Sequence, residues 1–455
     1  MPDTRVRPQE QWSSELLFIL AALGSAVGLG NIWRFPYIAG ENGGGAFVLL
    51  YLLFVVGIGL PALIATIMIG RRGKHSPIKC FEIVARMEGL HPSWVYLGWL
   101  LVLSAFLLLS LFSVVGSWIF DYLAKAFDDA FTGLDATSAG SLFDALKGNP
   151  VRLALWHGLF VGLTVFVVGR GIRRGIERAI KLMMPALFLL LLVLIVYALI
   201  AGDAAAALRF LFEPDFSRIN PSGVLLAVGQ ALLTLSVGGA GMLVYGAYLS
   251  NRASIPRSAA VIAAADTLVA LMTGLIIFPI VFAYGLEPGE GPGLIFVTLP
   301  IAFGQMAGGF FFGVMFFVLL LLAALTSAFS MFEPVVAWLE DSKGIPRRWG
   351  AVLAGCVVWF IGLAGVFSFN IWSDVRPLAV LSRFQDMDVF RTLEYVVANV
   401  CMPVGTFLVA IFAGWKISEA TRREEFGQLP EWLYSIWKVL ARYVVPAGIA
   451  IVFLI

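Results

Sequence analysis

The sequence predicts an all-α protein that crosses a membrane many times. Its 455 residues are 60% hydrophobic and only 13% charged, more apolar surface than a soluble chain of this length can hide. The apolar residues also fall into runs of about 20, the length that crosses a bilayer as a helix. A third observation bears on function: two of these runs carry helix breakers at their middles.

Eleven spans are expected, near residues 16–38, 45–70, 95–125, 153–170, 181–201, 222–249, 258–285, 310–338, 349–371, 390–415 and 437–455. The first follows a polar start, "MPDTRVRPQEQWSSE", has no cleavage-site pattern and is expected to stay as a helix. Between the seventh and eighth lies "GPGLIFVTLPIAFGQM" (291–306), expected as a short re-entrant or surface helical loop. Short basic loops mark the cytoplasmic side. With the N-terminus inside, 20 Lys and Arg fall in inside segments, Arg5, Arg7, Arg173 and Arg174 among them, and 7 fall outside. That asymmetry puts the N-terminus in the cytoplasm and, after eleven spans, the C-terminus outside. The net charge of +2 argues against nucleic acid as a partner. The three cysteines and three histidines have no disulfide or metal-ligand spacing.

Span 1 contains "GSAVGLGNIWRFPY" (24–37), with Gly24, Gly28, Gly30, Asn31, Arg34 and Pro36. Gly24 and Gly28 have the spacing that lets membrane helices pack closely. Span 6 contains "SVGGAG" (236–241) at its middle, where three glycines hold the helix poorly. Paired interruptions in two halves of a chain point to an inverted-repeat transporter with its site at the breaks. Unwound backbone at that depth must be buried or line a wet cavity. Its freed carbonyls suit a cation, and a half-helix N-terminus suits an anion.

"GSAVGLGNIWRFPYIAGENGGGAF", "GQALLTLSVGGAGMLVYGAYL", "GPGLIFVTLP" and "LTSAFSMFEPVVAWLED" resemble the bacterial neurotransmitter:sodium symporters, and the resemblance covers nearly the whole chain. The rule linking paired breaks to a binding site was drawn in part from this family, so the two arguments are not independent. The resemblance implies the leucine-transporter fold: a 5+5 inverted repeat with helices 1 and 6 broken. Residues 16–201 and 222–415 would be the repeats and 437–455 an additional helix, all in one transporter domain.

The family also implies two sodium sites and no organic cofactor. Sodium 2 maps to the carbonyls of Gly24, Val27 and Ala323 and the hydroxyls of Thr326 and Ser327, an all-oxygen set suited to a hard cation. Without span 1 opposite, Thr326 and Ser327 would be expected only to bond back to their own helix. Sodium 1 maps to Ala26, Asn31, Thr234 and Asp266. Many members have asparagine at the last position, and a carboxylate at mid-membrane is expected to be functional or paired. Tyr51, Gln230 and Thr234 match neighbours of the chloride site, but the serine of chloride-dependent members is Ala270 here. With a fixed charge at Asp266, chloride independence is expected; alternatively Asp266 titrates and couples protons in the return step.

Substrate is implied between spans 1, 3, 6 and 8, at Ala26, Leu29, Gly30, Leu108, Phe112, Val115, Leu233, Ser236, Gly239, Ala240, Ser330 and Met331. Three departures stand out. Most members have a tyrosine at Phe112 that bonds the substrate carboxylate, a charge-assisted bond worth about 1.5–3 kcal/mol. Two aromatic positions have become Leu233 and Gly239, which suggests a roomier pocket. The glutamate that normally braces the broken helices is Thr66. The aspartate that amine-specific members carry in span 1 is absent. The expected substrate is an amino acid or related small zwitterion.

For the gates, Arg34 is expected to close the outer vestibule against Asp388 or, in another register, Glu394. Trp12, Tyr248 and Asp341 match the inner gate, whose expected arginine is Gln9 here, with Arg5 or Arg7 able to stand in. The implied function is sodium-coupled import in a bacterial inner membrane, with lipid, sodium and a small solute as partners. A channel would need a continuous polar path or repeated filter, which the sequence lacks. A non-transporting sensor of the same fold is a second alternative. An intramembrane enzyme has no Ser/His pair or aspartate dyad to use.

Overall fold

The computed structural model describes residues 10–287 and 293–454. Arg5, Arg7, Gln9 and residues 291–292 lie outside the described residues. Among those described the chain is helical throughout, with one isolated antiparallel bridge, Gly44 to Pro214.

Among the described residues eight unbroken helices are long and apolar enough to cross a membrane: Gly45–Gly73, Pro92–Phe127, Pro150–Val168, Ile172–Ala201, Ile255–Ala283, Gly309–Lys343, Arg347–Ser368 and Val389–Lys416. A ninth span is the bent pair Glu15–Ala26 and Gly30–Glu41, whose axes differ by 51°. The sixth span is two short helices, Pro221–Thr234 and Gly241–Ala247, and the last runs over 431–454. These eleven spans, with helices 1 and 6 broken, match the arrangement expected from the resemblance.

Two edges differ from expectation. The fifth span begins at Ile172 rather than near 181, with Arg173 and Arg174 inside its first turn. Arginines read as a loop, yet at a helix end their long stems let the charge reach water. The last span begins at 431 rather than 437, because Trp432, Leu433 and Ile436 continue an amphipathic turn behind Glu431. The stretch between the seventh and eighth spans is a short helix, Leu294–Thr298 continued by Leu299–Gln305.

Local chemistry sets the helix starts. Ser14 caps span 1 by accepting from Leu17 N. Asn149 and Asn220 cap the fourth and sixth spans, each followed by proline at the first helical position, where the missing N–H costs nothing.

The third span is central: 67% of its most apolar stretch is buried, against 28% for the fifth. It packs on the eighth, fourth and ninth. The first half of span 1 lies among spans 5, 7 and 8, and the inner half of span 6 lies on spans 2 and 8. The breaks therefore face each other beside spans 3 and 8. Leu182, Ile200 and Phe360 point outward, more than 70% exposed, an apolar exterior that makes sense only against lipid.

Candidate functional site

In span 1 the helix ends at Val27 (φ −73°, ψ 84°) and resumes with Asn31 N donating to Gly28 O at 3.1 Å. In span 6 residues 235–240 leave the helix, and Ser236 and Gly238 take positive φ of 52° and 88°. Gly238 needs to be glycine twice over: its conformation is left-handed, and a Cβ would stand 2.3 Å from Met402 O. The span 1 glycines divide by role. A Cβ at Gly24 would meet Thr326 Cβ at 3.0 Å and one at Gly28 would meet Ser327 Oγ at 2.4 Å, so both serve close approach to span 8. A Cβ at Gly30 would meet only Leu233 at 4.0 Å, and one at Gly239 only Ser236 O at 4.0 Å. Those two glycines border open space.

Asn31, Thr234 and Asp266 converge from spans 1, 6 and 7, all essentially buried. Asn31 Nδ2 donates to Asp266 Oδ1 at 2.6 Å. Thr234 Oγ1 lies 2.7 Å from Asp266 Oδ2 and within hydrogen-bond distance of Asn31 Oδ1. A threonine hydroxyl has one proton, so it cannot serve both oxygens. Three oxygens from three helices thus share one proton, an arrangement that a cation would complete. Gln230 Nε2 donates to Gly30 O at 2.8 Å, but its Oε1 and the Tyr51 hydroxyl are buried without a hydrogen bond. Both lie close to this cluster, and Tyr51 is beside Thr234 and Thr267. Ala270 presents only a methyl one turn from Asp266.

The second cluster lies where span 1 meets span 8. Ser327 Oγ is 3.2 Å from both Gly24 O and Ser25 O. Thr326 Oγ1 bonds back to Leu322 O and Ala323 O, each at 3.0 Å. Gly24, Ala323, Thr326 and Ser327 are thus brought together around oxygen atoms. Val27 is buried at the end of the half-helix, and no hydrogen bond to its carbonyl joins it to the group.

Of the residues expected around substrate, Ala26, Leu29, Val115, Ala240 and Ser330 are buried, while Gly30, Leu108, Phe112, Leu233, Ser236, Gly239 and Met331 are only half-buried. The half-buried set lies at mid-span on spans 1, 3, 6 and 8. Phe112 is backed edge-on by Phe160, with ring centroids 6.3 Å apart. Thr66, at the usual glutamate position, bonds back to Ala62 O at 2.8 Å and braces nothing.

The end of the bundle around Trp12 is sealed. Trp12, 5% exposed, donates from Nε1 to Tyr245 O at 3.0 Å and from its backbone N to Tyr248 O at 3.1 Å. Its ring stands edge-on to Tyr245 at 5.2 Å. Asp341 departs from expectation. It accepts from Ser76 N at 2.7 Å and pairs with His75 at 3.5 Å, which places it beside the loop after span 2 rather than against Trp12 or Tyr248. The Tyr248 hydroxyl instead donates to the buried Glu333 at 2.6 Å. Glu333 pairs with Arg347, which also donates to Val168 O at 3.1 Å. Spans 4, 6, 8 and 9 are tied there by one ion pair. The segment before span 1 is latched as well: Glu10 accepts from Ile172 N at 2.7 Å, and Ser13 donates to Glu177 at 2.6 and 2.9 Å.

Toward the opposite end Arg34 has no acid within ion-pair distance among the described residues. Asp388, the first expected partner, caps the helix of span 10 by accepting from Arg391 N at 2.8 Å and pairs with Arg391 at 3.9 Å. Its place at the helix start turns it to its own span. Glu394, the other expected partner, is close enough to feel the charge of Arg34.

Residues 9–137 and 146–453 match the sodium:neurotransmitter symporter family. The chain belongs to that family. It is 38% identical over 447 residues to YhdH of Bacillus subtilis (strain 168), described as an uncharacterized sodium-dependent transporter, covering 98% of this chain and 97% of that one. It is 27% identical to a sodium- and chloride-dependent taurine transporter of Bos taurus, over 90% of this chain and 71% of that one. Among solved structures it resembles MhsT in complex with L-phenylalanine, with a TM-score of 0.89 and 38% identity, over 98% of this chain and 99% of that one.

Membership makes this a sodium-dependent membrane transporter, and it gives the gates a context. The motif comparison missed Glu333, Arg347, Tyr245, Glu10 and Glu177 as parts of the inner seal. A carboxylate inside an apolar run was the available signal for Glu333, as it was for Asp266. Arg347 sits at the start of span 9, where a basic residue looks like an ordinary orientation signal.

Proposed function

We propose that this chain is a sodium-coupled symporter that imports an amino acid or related small zwitterion by alternating access, without need of chloride. The observation that carries the proposal is the pair of oxygen clusters at the breaks, one at Asn31, Thr234 and Asp266 and the other at Gly24, Ala323, Thr326 and Ser327. Both include span 1, and the space at Gly30 and Gly239 adjoins them. Two sodium ions, one per cluster, would occupy oxygen-only sites suited to a hard cation; Ala26 and Val27 would add backbone carbonyls. A permanent carboxylate at Asp266 would supply the negative charge that an anion would otherwise bring, and it would repel chloride.

The twelve residues around the open space would hold substrate. MhsT in complex with L-phenylalanine and the taurine transporter both support a substrate with an acid and an amine. With Phe112 in place of tyrosine, the acid group would rely on the ion at Asn31 and on backbone N–H groups at the break. The sealed inner face and the open Arg34 correspond to an outward-facing form, in which Arg34 and Glu394 would close next. Residues 16–201 and 222–415 would form the inverted repeats in a bacterial inner membrane, N-terminus inside and C-terminus outside.

Each charge that crosses 100 mV contributes about 2.3 kcal/mol. Two sodium ions with a neutral zwitterion would contribute about 4.6 kcal/mol, enough for roughly 10³-fold accumulation. Uptake into proteoliposomes tests this, with a panel of amino acids, betaines, amines and sulfonates and an inward sodium gradient. At least one amino acid or zwitterion should accumulate above equilibrium with sodium and not with potassium. Binding without accumulation would mean a sensor, and gradient-independent equilibration would mean a channel.

A further inference from the structure

Span 1, span 6 and span 8 are joined at the breaks by four serine hydroxyls. Ser25 Oγ donates to Ser330 Oγ at 2.7 Å, and Ser330 Oγ donates to Ser327 O at 2.8 Å. Ser236 Oγ donates to Ser25 O at 3.0 Å, and the Ser25 and Ser236 hydroxyl oxygens are 3.3 Å apart. Ser327 Oγ faces Gly24 O and Ser25 O equally, at 3.2 Å each. Ser25, Ser327 and Ser330 are no more than 2% exposed, so these bonds have no water to replace them, and an unmade one would be costly. No charged group takes part, and Thr66 is turned back on its own helix.

We infer that this serine chain is the brace between the broken helices, and that Ser25 is a positioning residue that transmits sodium occupancy at span 8 to the break in span 6. This rests on the second cluster being a sodium site, as proposed above. The physical step is a change of hydrogen-bond acceptor. A cation at the second cluster takes the lone pairs of Gly24 O and of Ser327 Oγ. The Ser327 proton then has Ser25 O as its remaining acceptor, a carbonyl that already holds the Ser236 hydroxyl, and the Ser236 hydroxyl shifts toward the lone pairs of Ser25 Oγ, 3.3 Å away, an acceptor that only the Ser25 side chain supplies. Ser236 sits at positive φ in the unwound segment, where a small change in one bond moves the backbone most readily. The order of Ser25 therefore links an ion site on one side to the substrate-facing break on the other.

Hydrogen exchange with sodium chloride as the probe, against potassium chloride, tests this in the full-length protein. Sodium should slow exchange of the amides at 235–240 in the wild type. Ser25→Ala should lose roughly three- to tenfold of that slowing, the worth of one or two net hydrogen bonds. Sodium should still raise its melting temperature, because the oxygens of both clusters remain. Thr326→Val should lose the same sodium-dependent part, and Ser25→Ala combined with Thr326→Val should be no worse than Thr326→Val alone, as expected for residues acting in one chain. If Ser25→Ala keeps the full sodium effect at 235–240, or if the two losses add, the chain is not the link. A merely structural Ser25 would speed exchange equally in sodium and potassium. A wild type with no sodium response anywhere would remove the sodium site itself and the inference with it.

Discussion

The two oxygen clusters are built differently. At Asn31, Thr234 and Asp266 three side chains from three spans bond to one another directly, around a buried carboxylate. Where span 1 meets span 8 the groups are backbone carbonyls and hydroxyls, and Thr326 spends its bond on its own helix. The first cluster is assembled by its own hydrogen bonds and would be expected to persist without an ion. Within the second cluster itself the Ser327 hydroxyl is the tie across the helices, with the Ser25–Ser330 bond beside it, so a cation would add most of the cluster's cohesion. A site that needs its ion to hold two helices together is the one whose ion can report on, and control, their separation.

The contrast predicts effects of different size. Asp266→Ala should act most strongly. It removes acceptors for Asn31 and Thr234 and the only carboxylate of the cluster, and two charge-assisted bonds at about 1.5–3 kcal/mol each imply at least about a hundredfold loss in sodium affinity. Melting temperature without sodium should fall too, because the bonds exist without the ion. Thr326→Val keeps the shape and removes a hydroxyl that is bonded only within its helix. Its sodium half-saturation should rise roughly tenfold while its sodium-free melting temperature stays close to wild type. If the two variants lost stability equally, the distinction between a preassembled and an ion-assembled cluster would fail.

Glu333→Gln should act mainly on the inner seal. It weakens the tie to Arg347 and Tyr248 without touching either cluster, so labelling of a cysteine introduced on the cytoplasmic path should quicken while the sodium half-saturation moves only about two- to threefold. Replacing chloride by gluconate should have the least effect, leaving uptake unchanged. A requirement for chloride would show that Asp266 does not carry the site's negative charge.

Much of this was legible in the sequence because the membrane imposes a simple code. Apolar runs of fixed length gave nine of the spans to within a few residues, and glycines at mid-span marked both breaks. The start of the fifth span was hidden because Arg173 and Arg174 look the same in a loop and in a first helical turn. The cluster residues were found through the motif, not through spacing: nothing in the sequence brings Asp266 to Asn31, which are joined by packing across 235 positions. The inner seal was only half legible. Trp12 and Tyr248 follow the family pattern, but Asp341 is drawn to Ser76 and His75, and Glu333 with Arg347 takes its place. Asp388 similarly serves its own helix start, a role that Asp before a helix fills often. The serine chain could not be read at all, since serines in an apolar helix usually bond back to it.

Equilibrium binding of radioactive sodium to the purified protein tests the central claim most directly. Two ions should bind per wild-type chain; Thr326→Val should keep the ion at Asn31, Thr234 and Asp266 and hold the other about tenfold more weakly, whereas Asp266→Ala should keep the ion at span 8 and bind the first at least about a hundredfold more weakly. Sodium binding that is absent in the wild type, or unaltered in both variants, would contradict the assignment of the two clusters.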